Sequence, residues 1–181
     1  MHEKEPKIIS SRLIYNGPVK LRLDTFRING KTFTKEVVEH NASVGIIPIT
    51  NNDEIVLIRQ YRHAVNEYLV EIPAGKIENG ENPIEAAKRE LEEETGYNGD
   101  MTPLTQCYLA PSYDTEMMHF FIAKNIRKTH NNSLLMDDDE NISNVVVKLE
   151  DALGYCYNGH IRDSKTITAV LLYHTLSNKI K

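Results

Sequence analysis

Between Gly75 and Tyr97 the sequence reads GKIENGENPIEAAKRELEEETGY, and few folds can hold it. Asn82 is a helix N-cap, Pro83 suits the first helical position, Glu85 completes a capping-box-like spacing, and Gly96 is a natural stop. Ile84, Ala87, Leu91 and Thr95 recur at i, i+3, i+7 and i+11 and form the predicted buried stripe. The same short helix also carries Glu90, Glu93 and Glu94. At ~100° per residue, Glu90 and Glu94 lie about 40° apart, with Glu93 about 60° from Glu90 on the other side. Like charges at i,i+3 and i,i+4 each destabilise an isolated helix by roughly 0.2–0.5 kcal/mol. A divalent cation among the carboxylates offsets that repulsion, since Mg²⁺ takes carboxylates, waters and substrate phosphates as oxygen ligands. Arg89 can balance and orient the cluster through charge-assisted hydrogen bonds. Glu92 points elsewhere and reads as ordinary surface. The competing reading is a solvated acidic face paired with Lys88 and Arg89. The defined spacing of Gly75, Glu81, Arg89 and Gly96 around the cluster favours the cation.

The 181-residue chain is long enough for one domain with a small appendage. A net charge of −5 argues against a general nucleic-acid surface, which needs a basic stripe. Cys107 and Cys156 are far apart and form no CxxC pair, so a reduced, cytoplasmic setting is expected. The N-terminus, MHEKEPK, is too charged for a signal peptide, and no apolar run approaches the ~20 residues of a membrane span.

Residues 8–39 read as strands, with Asn29-Gly30 as a hairpin turn between Leu21–Ile28 and Lys31–Val38. Val44–Ile49 and Ile55–Tyr61 are expected as a second strand pair around Asn51-Asn52-Asp53. Tyr68–Ile72 is extended and leads into Pro73-Ala74-Gly75. Leu104–Leu109, Met117–Ala123 and Asn144–Leu149 read as further strands, and Glu150–Tyr157 and Lys165–Asn178 as helices. The pattern favours an α/β fold, a mixed sheet flanked by helices. Residues 1–42 are expected to form a strand-rich appendage and residues 43–181 the main domain.

Gly75, Glu81, Arg89-Glu90-Leu91, Glu93-Glu94 and Gly96 together resemble the Nudix box. The departure is Tyr97, at a packing position where the family usually has an aliphatic residue. The resemblance implies the Nudix α/β/α sandwich and hydrolysis of a nucleoside diphosphate linked to another moiety. Three further stretches resemble the ADP-ribose pyrophosphatase branch. They are Arg59-Gln60-Tyr61-Arg62 with Glu71-Ile72-Pro73-Ala74-Gly75, then Pro111, and then Ile161-Arg162-Asp163-Ser164-Lys165-Thr166. Ser112 stands where the glycine after that proline is usual. Glu116 to Ala123 looks as much like the neighbouring GDP-mannose hydrolases.

The resemblance implies that Glu90 and Glu94 are the core ligands of Mg²⁺ (or Mn²⁺), with Glu93 close by and the Ala74 carbonyl adding one oxygen. It implies that Arg62 contacts a phosphate, with Arg59 the weaker candidate; a surface ion pair is the alternative for either. The general base is expected in the acidic run Asp137-Asp138-Asp139-Glu140, best matched by Glu140, with Glu116 as runner-up or extra ligand. Glu81 and Gly75 are expected to be structural. The chain has no tryptophan, so stacking on a base would fall to Tyr15, Phe26 or Phe33, each of which also suits plain packing.

The function expected is hydrolysis of ADP-ribose to AMP and ribose 5-phosphate. Hydrolysis of GDP-mannose or another nucleotide sugar is the enzymatic alternative. A non-catalytic nucleotide-sensing module is the alternative of another class, disfavoured because Glu90, Glu93 and Glu94 are all present. A homodimer built with the N-terminal strands is implied, with no nucleic-acid or membrane partner.

Overall fold

The computed structural model describes residues 5–129 and 142–179. In chain order the elements are β1 (Lys7–Asn16), β2 (Lys20–Ile28), β3 (Lys31–Glu39), β4 (Ser43–Pro48), β5 (Glu54–Arg62), β6 (Glu67–Glu71) and β7 (Ala74–Lys76). Then come α1 (Pro83–Thr95), β8 (Tyr97–Tyr108), β9 (Met117–Lys128), β10 (Ser143–Lys148), α2 (Leu149–Tyr157) and α3 (Ser164–Lys179). They group into two compact units, Met1–Ala42 with Tyr108–Met117, and Ser43–Cys107 with Met118–Lys181.

The first unit is an antiparallel sheet in the order β1-β2-β3. Its β2–β3 turn is the Asn29-Gly30 pair, at φ 51° and 77°, the left-handed geometry a tight hairpin requires. Phe26 and Phe33 face each other across the ladder, ring centroids 5.7 Å apart. Asp24 is buried and accepts from Ser11 Oγ at 2.6 Å and Arg22 Nε at 3.0 Å. The Tyr108–Met117 segment docks on β3 through Val38 N–H to Tyr113 O at 2.7 Å and Thr115 N–H to Val38 O at 3.1 Å. Every residue of β1 is exposed, including Ile8, Ile9, Leu13, Ile14 and Tyr15.

The second unit holds two sheets. One is antiparallel, in the order β10-β5-β6; the other is mixed, β7-β4-β9-β8, with β4 antiparallel to β7 and parallel to β9. Strand β4 is buried along its whole length, as a strand covered on both faces must be. Val44 and Ile46 join Ala86, Ala87 and Leu91 of α1 in one core, together with Val56, Phe121 and Ala123. Helices α2 and α3 pack on each other, α2 also on β5 and β10, and α3 on β4. No helix among the described residues is long and apolar enough to cross a membrane.

Two expectations are corrected. Strands β4 and β5 do not form a hairpin ladder; the turn between them is closed by the Ile49–Ile55 bridge and the Thr50 N–H to Glu54 O bond at 2.9 Å, and the strands belong to different sheets. Each finds its ladder elsewhere in the chain, β4 on β7 and β9 and β5 on β6 and β10. Within α1, Ile84 is 37% exposed although its angular position faces the core. It sits in the first turn, short of the cluster that starts at Ala86 and Ala87. The helix ends are as expected: Asn82 Oδ1 accepts from Ile84 N–H at 3.0 Å, and Gly96 turns the chain at φ 72°.

Candidate active site

Arg89 uses all its N–H groups on the α1 region. Nε donates to Glu81 Oε1 at 3.0 Å, Nη1 to Glu90 Oε1 at 2.8 Å and to Glu93 Oε2 at 2.9 Å. Nη2 donates to the Lys76 carbonyl at 3.0 Å and to Glu81 Oε2 at 3.1 Å. The guanidinium therefore fixes two of the predicted ligands and the end of β7 at once. Hydrogen bonding to Glu81 above all, and then to Glu90 and Glu93, holds Arg89 protonated beyond its already high range. Glu81 is held below the usual carboxylate range by Arg89 and by the Glu78 N–H at 2.9 Å.

Glu94 is buried on α1, and its Oε2 accepts from the Ala74 N–H at 2.8 Å. That bond brings the helix to the residue whose carbonyl was the predicted fourth oxygen. Gly75 comes next, and a Cβ there would stand 2.0 Å from Glu90 Oε1. The missing side chain is the space in which the Glu90 carboxylate lies. Glu90, Glu94 and the Ala74 peptide are thus gathered where α1 crosses β7. Among the described residues, no three His, Cys, Asp or Glu side chains converge as a closed metal cage. Arg89 draws Glu90 and Glu93 to itself while Glu94 lies on the backbone. The donors are nonetheless hard oxygens beside a glycine-made space. That fits a cation which completes its shell with water and substrate phosphate rather than with protein alone.

Arg62 and Arg59 lie three residues apart on β5, so they point to opposite faces of the strand. Arg62 grips Glu71 bidentately, Nε to Oε1 at 2.8 Å and Nη2 to Oε2 at 2.6 Å, and its side chain stays 39% exposed. Arg59 instead stacks on the Tyr68 ring, 3.9 Å from its centroid. Burial alone drives the Glu71 carboxyl upward, but Arg62 and Lys165 outweigh it and leave the group below its ordinary range. Arg62 is correspondingly raised, chiefly by Glu71.

The remaining predicted residues divide by location. Glu116 belongs to the first unit, where His40 Nδ1 lies 3.8 Å from its carboxylate. Glu140 and the neighbouring Asp137, Asp138 and Asp139 lie outside the described residues. One group has no role in the sequence expectations: Glu71, Asp163, Lys165 and Thr166, joined by hydrogen bonds. Its signal in the sequence is a glutamate set between apolar Val70 and Ile72 in an extended run, where a charge needs a partner.

The fold and the carboxylate helix define an α/β domain in which a glutamate-bearing helix crosses a glycine-bearing strand. The chain belongs to the Nudix family: the family model for the NUDIX domain matches residues 39–170. It is 41% identical over 169 residues to the methanol dehydrogenase activator of Bacillus methanolicus, covering 92% of this chain and 91% of that one. It is 36% identical over 173 residues to the ADP-ribose pyrophosphatase of Bacillus subtilis (strain 168), covering 94% and 93%. It is 34% identical over 185 residues to the GDP-mannose pyrophosphatase of Citrobacter koseri, covering 94% and 95%. A crystal structure described as an ADP compounds hydrolase superposes with a TM-score of 0.88 at 24% identity, over 99% of this chain and 97% of that one, which establishes the fold.

Proposed function

We propose that this Nudix hydrolase cleaves the pyrophosphate bond of ADP-ribose, giving AMP and ribose 5-phosphate, with Mg²⁺ as the working cation and Mn²⁺ able to replace it. The observation that carries the reading is the seating of Glu90 over Gly75 beside the Glu94–Ala74 bond. The ADP-ribose assignment draws on the likeness to the Bacillus subtilis pyrophosphatase over nearly the whole chain.

A bound divalent cation neutralises pyrophosphate charge and lowers the pKa of an attached water. The chain's own residues do the rest. Glu90, Glu94 and the Ala74 carbonyl hold the cation, with Glu93 at the rim. Arg89 keeps Glu90 and Glu93 in place, and Glu81 keeps Arg89 in place. Arg62, fixed by Glu71 along one edge, offers its exposed edge to a phosphate; Arg59, on the opposite strand face, is the weaker contact. Water adds to one phosphorus as the bridging P–O bond breaks, so each product leaves as a phosphomonoester and one proton is released. Glu140 takes that proton in this reading, and Glu116 is the other candidate.

We assign the exposed β1 edge, with its apolar residues, to a homodimer contact, since such an edge is otherwise open to pairing with other chains. A sedimentation mass of a single chain would remove that assignment. Free Cys107 and Cys156 suit a reducing, cytoplasmic setting.

Product release from ADP-ribose, GDP-mannose, ADP-glucose and NADH, each with Mg²⁺ and with chelator, tests the function. AMP from ADP-ribose, abolished by chelator, is the expected result. GMP from GDP-mannose alone would select the second reading, which the Citrobacter koseri relative favours. The likeness to the methanol dehydrogenase activator motivates a further arm, adding the chain to a methanol dehydrogenase assay. Stimulation without hydrolysis there would sink the catalytic reading.

A further inference from the structure

Three stretches far apart in the chain meet in one hydrogen-bonded group. Asp163, the residue before α3, accepts from Thr166 N–H at 2.9 Å and from Thr166 Oγ1 at 2.6 Å, both on Oδ2. Its other oxygen accepts from Lys165 Nζ at 2.9 Å. Lys165 Nζ also donates to Glu71, whose carboxylate takes the Arg62 fork. Thr166 Oγ1 in turn accepts from the Ile72 N–H at 2.8 Å. The start of α3 therefore grips residues 71 and 72 twice, once through the Glu71 side chain and once through the backbone.

The segment immediately after Ile72 forms the candidate cation site. The Pro73 carbonyl accepts from Ile46 N–H at 2.9 Å, the Ala74 N–H reaches Glu94, and Gly75 pairs with Val44 across β4–β7. Thr166 is fully buried, and its hydroxyl is committed to Asp163 as donor and to Ile72 as acceptor. It has nothing left to offer a substrate. We propose that Thr166, set by Asp163, is a positioning residue that fixes the height of the 72–75 strap and so the placement of the Ala74 oxygen against Glu90 and Glu94. The proposal rests on the metal reading above.

The test is Mn²⁺ binding to the whole protein without substrate, followed through the electron paramagnetic resonance signal of free Mn²⁺. Wild type binds and Glu94→Gln does not, which checks the metal reading by itself. Thr166→Val keeps the shape but removes the acceptor, and weakens Mn²⁺ about 10-fold, the loss typical when the support behind a ligand is removed. Thr166→Ser restores the affinity. Val170→Ala, one turn further along the same helix and equally buried, lowers the melting temperature but leaves Mn²⁺ affinity unchanged. Should Thr166→Val not fold, Thr166→Ala gives the same readout. Wild-type affinity in the Thr166 variants, or equal weakening in Val170→Ala, would overturn the positioning role. A wild-type protein that binds no Mn²⁺ would overturn the metal reading and this inference with it.

Discussion

The second unit contains two charge clusters of opposite construction. On α1 one cation, Arg89, stands among Glu81, Glu90 and Glu93, and its side chain is 27% exposed. Between β6 and α3 one anion, Glu71, stands between Arg62 and Lys165 and is 1% exposed. The first cluster carries an excess of carboxylates and is suited to a cation. The second turns one edge of a guanidinium outward and is suited to an anion. In the function proposed above, a pyrophosphate bridged to a metal uses both. The two also differ in burial: the first is a wet cluster and the second a dry one.

Changing Glu94, the buried carboxylate beside the wet cluster, has the largest effect. Glu94→Gln is expected to reduce turnover about 1000-fold, ~4 kcal/mol of transition-state stabilisation. Its melting temperature should stay near wild type, and kinetics with calorimetry on the same sample checks both. A variant that still turns over would remove Glu94 from the ligand set. Breaking the dry cluster acts on stability instead. Glu71→Ala leaves Lys165 with Asp163 alone and Arg62 without its fork partner, and urea unfolding is expected to register a loss of about 3 kcal/mol, at the low end for a broken buried pair because Lys165 keeps one carboxylate and Arg62 is partly solvated. Little loss would mean that the group relaxes into water.

Arg89→Lys sharpens the contrast, because it keeps the charge and loses the fork. Turnover should fall about 10-fold, while urea unfolding changes by less than about 1 kcal/mol, as for other solvated ion pairs. Equal losses in both measurements would show that the two clusters do not differ in kind. The smallest effect is in pH. Glu71 has its folded pKa below the ordinary 4.5, so its stabilising contribution is present above that value and is lost as pH falls through the lower, folded pKa. Comparing urea midpoints at neutral and acidic pH, Glu71→Gln should lose less stability on acidification than wild type.

Local chemistry made much of this fold legible. Asn29-Gly30, Asn82-Pro83 and Gly96 each sit at the turn, cap or stop that their own dihedral preferences dictate. The Arg89 cluster was legible too, because its members lie within one helix and its lead-in. Long-range pairing was not. Strand β4 takes β9 rather than β5 as its ladder partner, and no spacing within Val44–Tyr61 carries that choice. Lys165 lies 94 residues from Glu71, so their contact left only a charged residue in an apolar strand as its trace. Strands β8 and β9 are longer than the apolar runs that marked them, since they continue through exposed polar residues such as Asn98 and Lys124.

The dry cluster also constrains how this sequence can change over generations. An apolar residue at Glu71 would leave Lys165 with Asp163 alone, and loss of Lys165 would leave Glu71 with Arg62 alone. Any stepwise route to an uncharged version passes through a chain in which Glu71 or Lys165 has lost one of its two ion-pair partners. Arg62, Glu71 and the Asp163–Thr166 turn are therefore coupled as one unit, although more than ninety positions separate the first two from the last.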